Sequence, residues 1–178
     1  RDSAGLFLVL TFQLFLPCTL IGDSVVVINE IMYHPRAGEP EWIELYNQMG
    51  SQVDMSGWSF TGAVEYVFPE GAILPPNAYV VVASSTEGSV QGLPGQFLGP
   101  FQGQLSNGGE EIRLVNNSGR LMNRVHYDDD GEWPVAADGG TSAAKIDPGQ
   151  ESETPSHWTW SDEHGGFKSV EELNEVSG

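Results

Sequence analysis

An acidic stretch at residues 126–134, HYDDDGEWP, contains the densest group of side chains that could bind a metal ion. Carboxylate oxygens are the ligands that calcium prefers, and the helix-loop-helix calcium motif needs them at both ends of a loop with a central glycine. With Gly131 as that glycine, the loop ends fall on His126 and Ala137. Neither residue has a carboxylate, so the sequence does not match this motif. A looser calcium site stays open, and its candidate ligands are Asp128, Asp129, Asp130, Glu132 and Asp138.

The same stretch is also typical of a turn that ends a strand. Aspartate side chains in turns accept hydrogen bonds from free backbone N–H groups. Trp133 would then pack on the end of a β-sandwich. We prefer this structural interpretation, under which the stretch is not a catalytic centre.

Two other carboxylates are notable because they lie inside apolar runs, Glu30 in INEIM and Glu44 in WIELY. General acid/base catalysis needs two carboxyl groups that face each other across a cleft with separated pKa values. Buried carboxyl groups also need hydrogen-bond partners, for which Asn29, Asn47 and backbone N–H groups are candidates. We interpret Glu30 and Glu44 as structural, either hydrogen-bonded inside the fold or exposed at a sheet edge, and we predict no catalytic residues.

Motifs for other chemistries are missing from the sequence. The four histidines have no spacing typical of zinc, and there is no G-x-S-x-G nucleophile motif. NGGEE, at residues 107–111, lacks the lysine and the helix of a phosphate loop and is interpreted as a turn before a strand. No cofactor is therefore predicted, apart from the calcium alternative above.

Exposed aromatic side chains could bind a polysaccharide by stacking on its sugar rings. The candidates for such a platform are Trp58, Tyr66, Trp133, Trp158 and Trp160. Single tryptophans in a β-sandwich are more often part of the core or cover one of its ends. For Trp158 and Trp160 we expect the covering role.

The charge balance limits the partners. Seven Lys and Arg against 25 Asp and Glu give a formal net charge of -18, which repels nucleic acid and anionic membranes. With 178 residues of which 39% are hydrophobic, the chain has enough apolar surface for one domain with tails.

The N-terminus resembles an export signal. LFLVLTFQLFLP, at residues 6–17, is long enough for a signal-peptide core but too short to span a bilayer. We predict a signal peptide over residues 1–24, cleaved after Ser24, and hence a secreted or cell-surface protein that leaves the membrane. Cys18, the only cysteine, follows Pro17, which disfavours lipid attachment.

From residue 25 onward, short runs of β-forming residues alternate with turn residues, which predicts an all-β fold. The predicted strands are residues 25–33, 41–47, 57–60, 64–68, 79–83, 111–115, 120–127 and 141–146. Residues 84–100 are rich in Ser, Gly and Pro and predict a surface loop. Ser169 and Glu172 have capping-box spacing, so a short helix is expected in the tail at residues 162–178.

Side-chain alternation predicts which faces are buried. In the second strand, Trp42, Glu44 and Tyr46 should point one way and Ile43, Leu45 and Asn47 the other; both faces carry bulk, so this strand should lie inside a sheet. Across the hairpin formed by residues 111–127, Ile112 and Leu114 should face an inward set. The members of that set are Leu121, Val125 and Tyr127.

Six segments, in order, resemble the lamin-tail domain family in its bacterial secreted form. They are VVINEIMYHP…EPEWIELYN, VDMSGWSF, VFPEGAILPPNAYVVVA, NGGEEIRLVNNSG, YDDDGEWPVAADGG and PSHWTW. The resemblance covers residues 25–161 and implies an immunoglobulin-like β-sandwich of two antiparallel sheets without catalytic residues. Near the end the chain departs from the family pattern, with Ser142, Ala143 and Ala144 in place of Ser-Leu-Glu and GGFKSVEEL in place of Gly-Thr-Pro-Gly.

The resemblance also implies a function. Such domains are similar to accessory modules of exported bacterial proteins. We therefore expect a non-catalytic extracellular module with a binding or structural role. Its expected partners are other domains of the same polypeptide, a protein surface or a polysaccharide. One alternative is a fragment of an extracellular multidomain enzyme, a CotH-like kinase or a hydrolase, whose catalytic domain lies elsewhere. Another is a calcium-dependent adhesion or carbohydrate-binding module.

Overall fold

The computed structural model describes residues 24–86, 96–134 and 140–161. Within these ranges the chain forms thirteen β-strands and one short 3-10 helix, Pro155–His157. The strands are β1 Val26–Met32, β2 Trp42–Asn47, β3 Val53–Asp54, β4 Ser59–Gly62, β5 Val64–Val67, β6 Ile73–Leu74, β7 Tyr79–Ala83, β8 Gln96–Leu98, β9 Gln102–Gly103, β10 Glu110–Val115, β11 Leu121–Tyr127, β12 Ala143–Lys145 and β13 Trp158–Trp160. The predicted signal core and the predicted C-terminal helix lie outside the described residues.

The strands form two main sheets and a small ribbon. One sheet has six strands in the order β13-β12-β1-β2-β7-β8, the other has five in the order β11-β10-β4-β5-β9, and β3 pairs with β6. Among the described strand pairs, β7 and β8 run parallel and the others antiparallel. The predicted all-β fold with two stacked antiparallel sheets is confirmed.

Each of the eight predicted strands is present, with ends that differ by up to two residues. The additional strands β3, β6, β8, β9 and β13 have only two or three residues each, too few to show an alternating pattern in sequence. The prediction of a continuous loop at residues 84–100 was wrong, because β8 lies within it and pairs with β7. Strand β8 forms through its pairing with β7, and its own short sequence carries no strand pattern.

The main core lies between the two large sheets. The first contributes Ile28, Ile43 and Leu45, and the second contributes Phe60 and Ile112, all at most 1% exposed. Tyr33 and Tyr127 stack across the core with ring centroids 4.9 Å apart. Polar contacts also join the sheets, since the backbone N–H of Ile28 donates to Oδ1 of Asn123 at 3.0 Å.

In the β10–β11 hairpin one inward residue was predicted wrongly. Val125 pairs with Ile112 and is buried as expected, but Leu121 is 46% exposed. The register shifts between Leu114 and Val115, so Leu121 lies opposite Val115 at the end of the pair and Asn123 takes the buried position opposite Leu114. A bulge of this kind displaces one residue from the simple alternation.

The prediction for β2 is confirmed on both faces. Ile43 and Leu45 point into the main core, whereas Trp42 belongs to a second buried cluster with Met32, Val81 and Ala83. Strand β2 lies between β1 and β7, as expected for a strand with bulk on both sides. Across the described residues, no helix has the length and apolar character needed to cross a membrane.

Candidate functional site

The face of the six-stranded sheet that points away from the main core carries two glutamates side by side. Glu30 on β1 is the register partner of Glu44 on β2, so their side chains leave the sheet on the same face. The register shifts between Ile28 and Glu30, which places Asn29 in a bulge beside the pair. Each glutamate is only 3% exposed. We refer to Glu30 and Glu44 as the buried acidic pair.

A third strand brings hydroxyl groups to the buried acidic pair. Strand β12 lies beside β1 in the sheet, and Ala144 is the register partner of Glu30. The hydroxyl of Ser142 donates a short hydrogen bond to Oε1 of Glu30. Its Oγ also lies 2.5 Å from Oγ of Ser161, so two serines extend the polar cluster.

The electrostatics of the pair favour a proton on Glu44. Burial is the largest cause, and the charge of Glu30 adds to it; together they raise the pKa of Glu44 to about 8, although the hydrogen bond from Asn29 lowers it. That hydrogen bond joins Nδ2 of Asn29 to Oε1 of Glu44 at 2.8 Å. At neutral pH the Glu44 carboxyl is therefore mainly protonated.

Two tyrosines line the same face beyond Glu44. Tyr46 and Tyr79 are register partners on β2 and β7, and their ring centroids are 4.6 Å apart. Burial, and then the charge of Glu44, raise the pKa of the Tyr79 phenol. Trp42 and Tyr46 lie two residues to either side of Glu44 on β2, so aromatic side chains flank Glu44 along the strand.

The acidic stretch predicted as a turn or a calcium loop follows β11. Asp128 is half-buried, its Oδ1 accepts from the backbone N–H of Asp129 at 2.8 Å, and the backbone N–H of Trp133 donates to the carbonyl of Asp130 at 3.3 Å. The side chains of Asp129, Asp130 and Glu132 are exposed. We call residues 128–132 the acidic turn.

The acidic turn holds four of the five predicted calcium ligands, and Asp138 lies outside the described residues. Within the described part of the chain, no three His, Cys, Asp or Glu side chains are grouped closely enough to hold a metal ion. A calcium site that includes Asp138 stays a prediction. The expected packing of Trp133 is confirmed, because it lies against the main core with its ring 5.7 Å from that of Trp158.

Comparison with known proteins identifies the family. Residues 22–129 match the Lamin Tail Domain family, a stretch that begins four residues before β1, ends in the acidic turn and is more than half of the chain. This chain belongs to the Lamin Tail Domain family. No curated protein matches it.

Membership gives the sandwich its class: the lamin-tail domain is an immunoglobulin-like fold, as predicted. The match ends before β12 and β13, where the sequence departs from the family pattern. Despite Ala143 and Ala144, β12 forms and pairs with both β1 and β13. The final strands of this lamin-tail domain therefore complete the six-stranded sheet, which supplies Ser142 and Ser161 to the buried acidic pair.

The aromatic residues proposed as a sugar platform do not share one exposed surface of the domain. Trp58 and Trp158 are buried in the main core, and Tyr66 packs edge-on against Phe68 at 5.1 Å. Trp160 is 58% exposed, so the expectation that it covers the core was wrong. Its position at the end of edge strand β13 leaves little of the core within its reach.

Part of the polar network in the sheet was predicted from the sequence. Asn29 is confirmed as the partner of Glu44. Asn47 instead binds loop carbonyls, donating from Nδ2 to the carbonyls of Ser51 at 2.9 Å and Pro75 at 2.8 Å. Ser142 and Ser161 were missed, because their approach depends on the pairing of β12 with strands distant in sequence. The one sequence signal for Ser142 is that it is a polar residue directly before β12.

Proposed function

We propose that this lamin-tail domain is a non-catalytic extracellular module that binds a partner surface or connects domains, as an accessory part of a larger exported protein. The observation that carries the proposal is family membership combined with the location of the carboxyl groups. Each glutamate of the buried acidic pair is only 3% exposed, whereas Asp129, Asp130 and Glu132 of the acidic turn are exposed to solvent. General acid/base chemistry needs carboxyl groups that a substrate can reach.

The binding role has a candidate contact surface at the edge of the six-stranded sheet. Trp160 is 58% exposed and Ile146, which follows β12, is 57% exposed. Aromatic side chains at a surface contribute strongly to protein contacts and stack on sugar rings. Trp160 is the last residue of the edge strand β13, and Ile146 directly follows β12, the strand next to that edge, so a partner can approach both without disturbing the core.

The binding role is tested by measuring retention of the 178-residue chain on immobilised polysaccharides and on purified domains encoded beside it. A Trp160→Ala variant should bind at least about tenfold more weakly, as for loss of an aromatic contact residue. Val67→Ala is the matched control, because Val67 is 67% exposed on the other large sheet and should bind normally. Equal loss in both variants, or no binding to any surface, would contradict the proposed role.

Export is tested separately with a reporter enzyme that is active only outside the cytoplasm. Residues 1–24 fused to the reporter should give activity, because their apolar core has the length of a signal peptide. Leu10→Arg places a charge inside that core and should abolish reporter activity. Equal activity from the wild-type and variant fusions would show that these residues do not direct export.

A further inference from the structure

The six-stranded sheet is buried on both of its faces. All seven residues of β1 are buried, and so are four of the five residues of β7. A strand in a two-layer sandwich usually buries every second residue, because its other face meets water. The five-stranded sheet covers only the face that holds the main core. A different cover must therefore lie on the opposite face, which we call the outer face.

The buried apolar cluster on the outer face consists of side chains of the sheet itself. Its members, each at most 5% exposed, are Met32 on β1, Trp42 on β2, and Val81 and Ala83 on β7. Met32 pairs with Trp42 and Trp42 with Ala83, so these three form one row across the sheet, which we call the Trp42 row. Within the described residues, no second layer contributes a buried side chain to this cluster. An apolar layer is expected to pack here.

Burial of the outer face is most complete at the Trp42 row. Trp42 is 3% exposed and Ala83 is 0% exposed. Tyr46 and Tyr79 are register partners near the other end of the same two strands, and both are partly exposed. The segment that covers the face should therefore approach from the end of the sheet that carries the Trp42 row.

The described chain leaves the sheet at that same end. Ala143 on β12 is the register partner of both Ile31 on β1 and Trp160 on β13, so Ser161 lies level with the Trp42 row. Oγ of Ser161 lies 2.5 Å from Oγ of Ser142, which donates to the buried acidic pair. The side chain of Ser161 therefore points to the outer face, and the residues that follow it start beside that face.

The tail at residues 162–178 has the length and the apolar residues to cover the outer face. Residues 162–166, DEHGG, can span up to about 17 Å when extended. Strand β2 lies three strand spacings from β13, or about 14 Å, so the tail can reach the Trp42 row. The large apolar residues that follow are Phe167, Val170, Leu173 and Val176. In the helix predicted from the capping-box spacing, Val170 and Leu173 lie on one face.

Two other segments fit the outer face less well. Residues 6–17 are apolar, but they precede Val26, which lies at the end of β1 opposite to Met32. Residues 87–95 follow β7, and four of these nine residues are Gly or Pro, which disfavour a continuous apolar helix face. The tail is the segment that combines the correct starting point with a sufficient number of apolar side chains.

We propose that the tail at residues 162–178 packs across the outer face of the six-stranded sheet, with Val170 and Leu173 over the Trp42 row. The tail then forms a third layer of the domain. Glu30 and Glu44 lie in the next outward-facing row of the sheet, so the same layer shields the buried acidic pair from water. This contact lies within one chain and does not depend on the proposed extracellular role.

The test is the rate of methionine oxidation in the 178-residue chain, because Met32 belongs to the Trp42 row. Hydrogen peroxide is added, and each methionine is followed by peptide mass spectrometry. Met49, 42% exposed, and Met55, 1% exposed in the main core, serve as references for an open and a closed position. In the wild-type chain Met32 should react as slowly as Met55.

The decisive variant combines Val170→Asp with Leu173→Asp. Oxidation of Met32 should become at least about fivefold faster, because oxidation depends on exposure, while Met55 stays protected. Lys168→Asp is the matched control, since it changes the formal charge by as much as the double variant without removing an apolar side chain. It should leave Met32 protected.

Equal rates for Met32 in the wild-type chain and the double variant would overturn the proposal. Faster oxidation of Met32 in a chain that lacks residues 1–24, with no change in the double variant, would assign the cover to the N-terminal segment and also overturn it. If the double variant exposes Met55 as well, the milder variant Leu173→Ala decides. It should speed oxidation of Met32 alone, and an unchanged rate would contradict the proposal.

Discussion

The buried acidic pair and the acidic turn contain the same chemical group in opposite environments. In the pair, two glutamates lie on neighbouring strands and are each 3% exposed, and the pKa of Glu44 is raised to about 8. In the turn, three of the four described carboxylates are exposed to water. The density of acidic residues along the chain therefore says little about where carboxyl chemistry is unusual. Burial and strand register determine which carboxyl groups have a shifted pKa.

The comparison is tested most severely by truncation of Glu44. Glu44→Ala removes a buried side chain and leaves Nδ2 of Asn29 without its acceptor, so the free energy of unfolding should fall by about 2–4 kcal/mol. Urea denaturation at pH 6, where Glu44 is protonated in the wild-type chain, measures the loss. Glu44→Gln, which keeps the volume, should lose less. A loss in Glu44→Ala no larger than that of a surface variant would contradict the account.

Features set by residues close together in sequence could be predicted, whereas features set by the pairing of distant strands could not. Alternation within WIELY predicted both faces of β2. The apolar neighbours of Glu30 and Glu44 left two possibilities, burial with hydrogen bonds or exposure at a sheet edge, and the structure shows the first. Asn29, adjacent to Glu30 in sequence, could be predicted as a partner. The pairing of Glu30 with Glu44 was not predicted, because the bulge at Asn29 sets that register. Ser142 and β13 depend on contacts between distant segments, for which short runs carry no pattern.

The acidic turn should be sensitive in its backbone although its side chains are exposed. Gly109, just before β10, has φ +96, and an added Cβ would lie 2.7 Å from the carbonyl oxygen of Tyr127 and 2.9 Å from Cα of Asp128. Gly109→Ala combines backbone strain with steric overlap and should cost about 2–4 kcal/mol. Chemical denaturation measures it. Gly50→Ala is the control, since its added Cβ meets nothing within 4 Å.

The hydroxyl that serves the buried acidic pair should have an intermediate effect. Ser142→Ala removes the donor to Glu30, and a buried hydrogen bond to a carboxyl group contributes about 1–2 kcal/mol. Ser118→Ala is a matched control, because its exposed hydroxyl also donates to a side-chain oxygen, Oδ1 of Asn116 at 2.8 Å. If both variants lose the same stability in urea denaturation, burial does not distinguish the two hydroxyl groups.

The smallest effect is expected from the exposed carboxylates of the turn. Asp129→Ala and Asp130→Ala should each change the free energy of unfolding by less than about 0.5 kcal/mol in the absence of calcium, as for other surface substitutions. A loss above about 1 kcal/mol in either variant would show that these side chains hold the turn together. Measurement in a chelating buffer excludes any contribution from a bound ion.

The most direct test of the central claim, that burial and pairing make Glu44 unlike the other carboxyl groups, is the pH dependence of stability. The pKa of Glu44 is raised from 4.5 to about 8 on folding, so its contribution is fully present below pH 4.5 and is lost as pH rises towards 8. The free energy of unfolding of the wild-type chain should therefore fall, relative to Glu44→Gln in the same chelating buffer, between pH 4.5 and 8, and level off above. Parallel curves for the two proteins across that range would contradict the account.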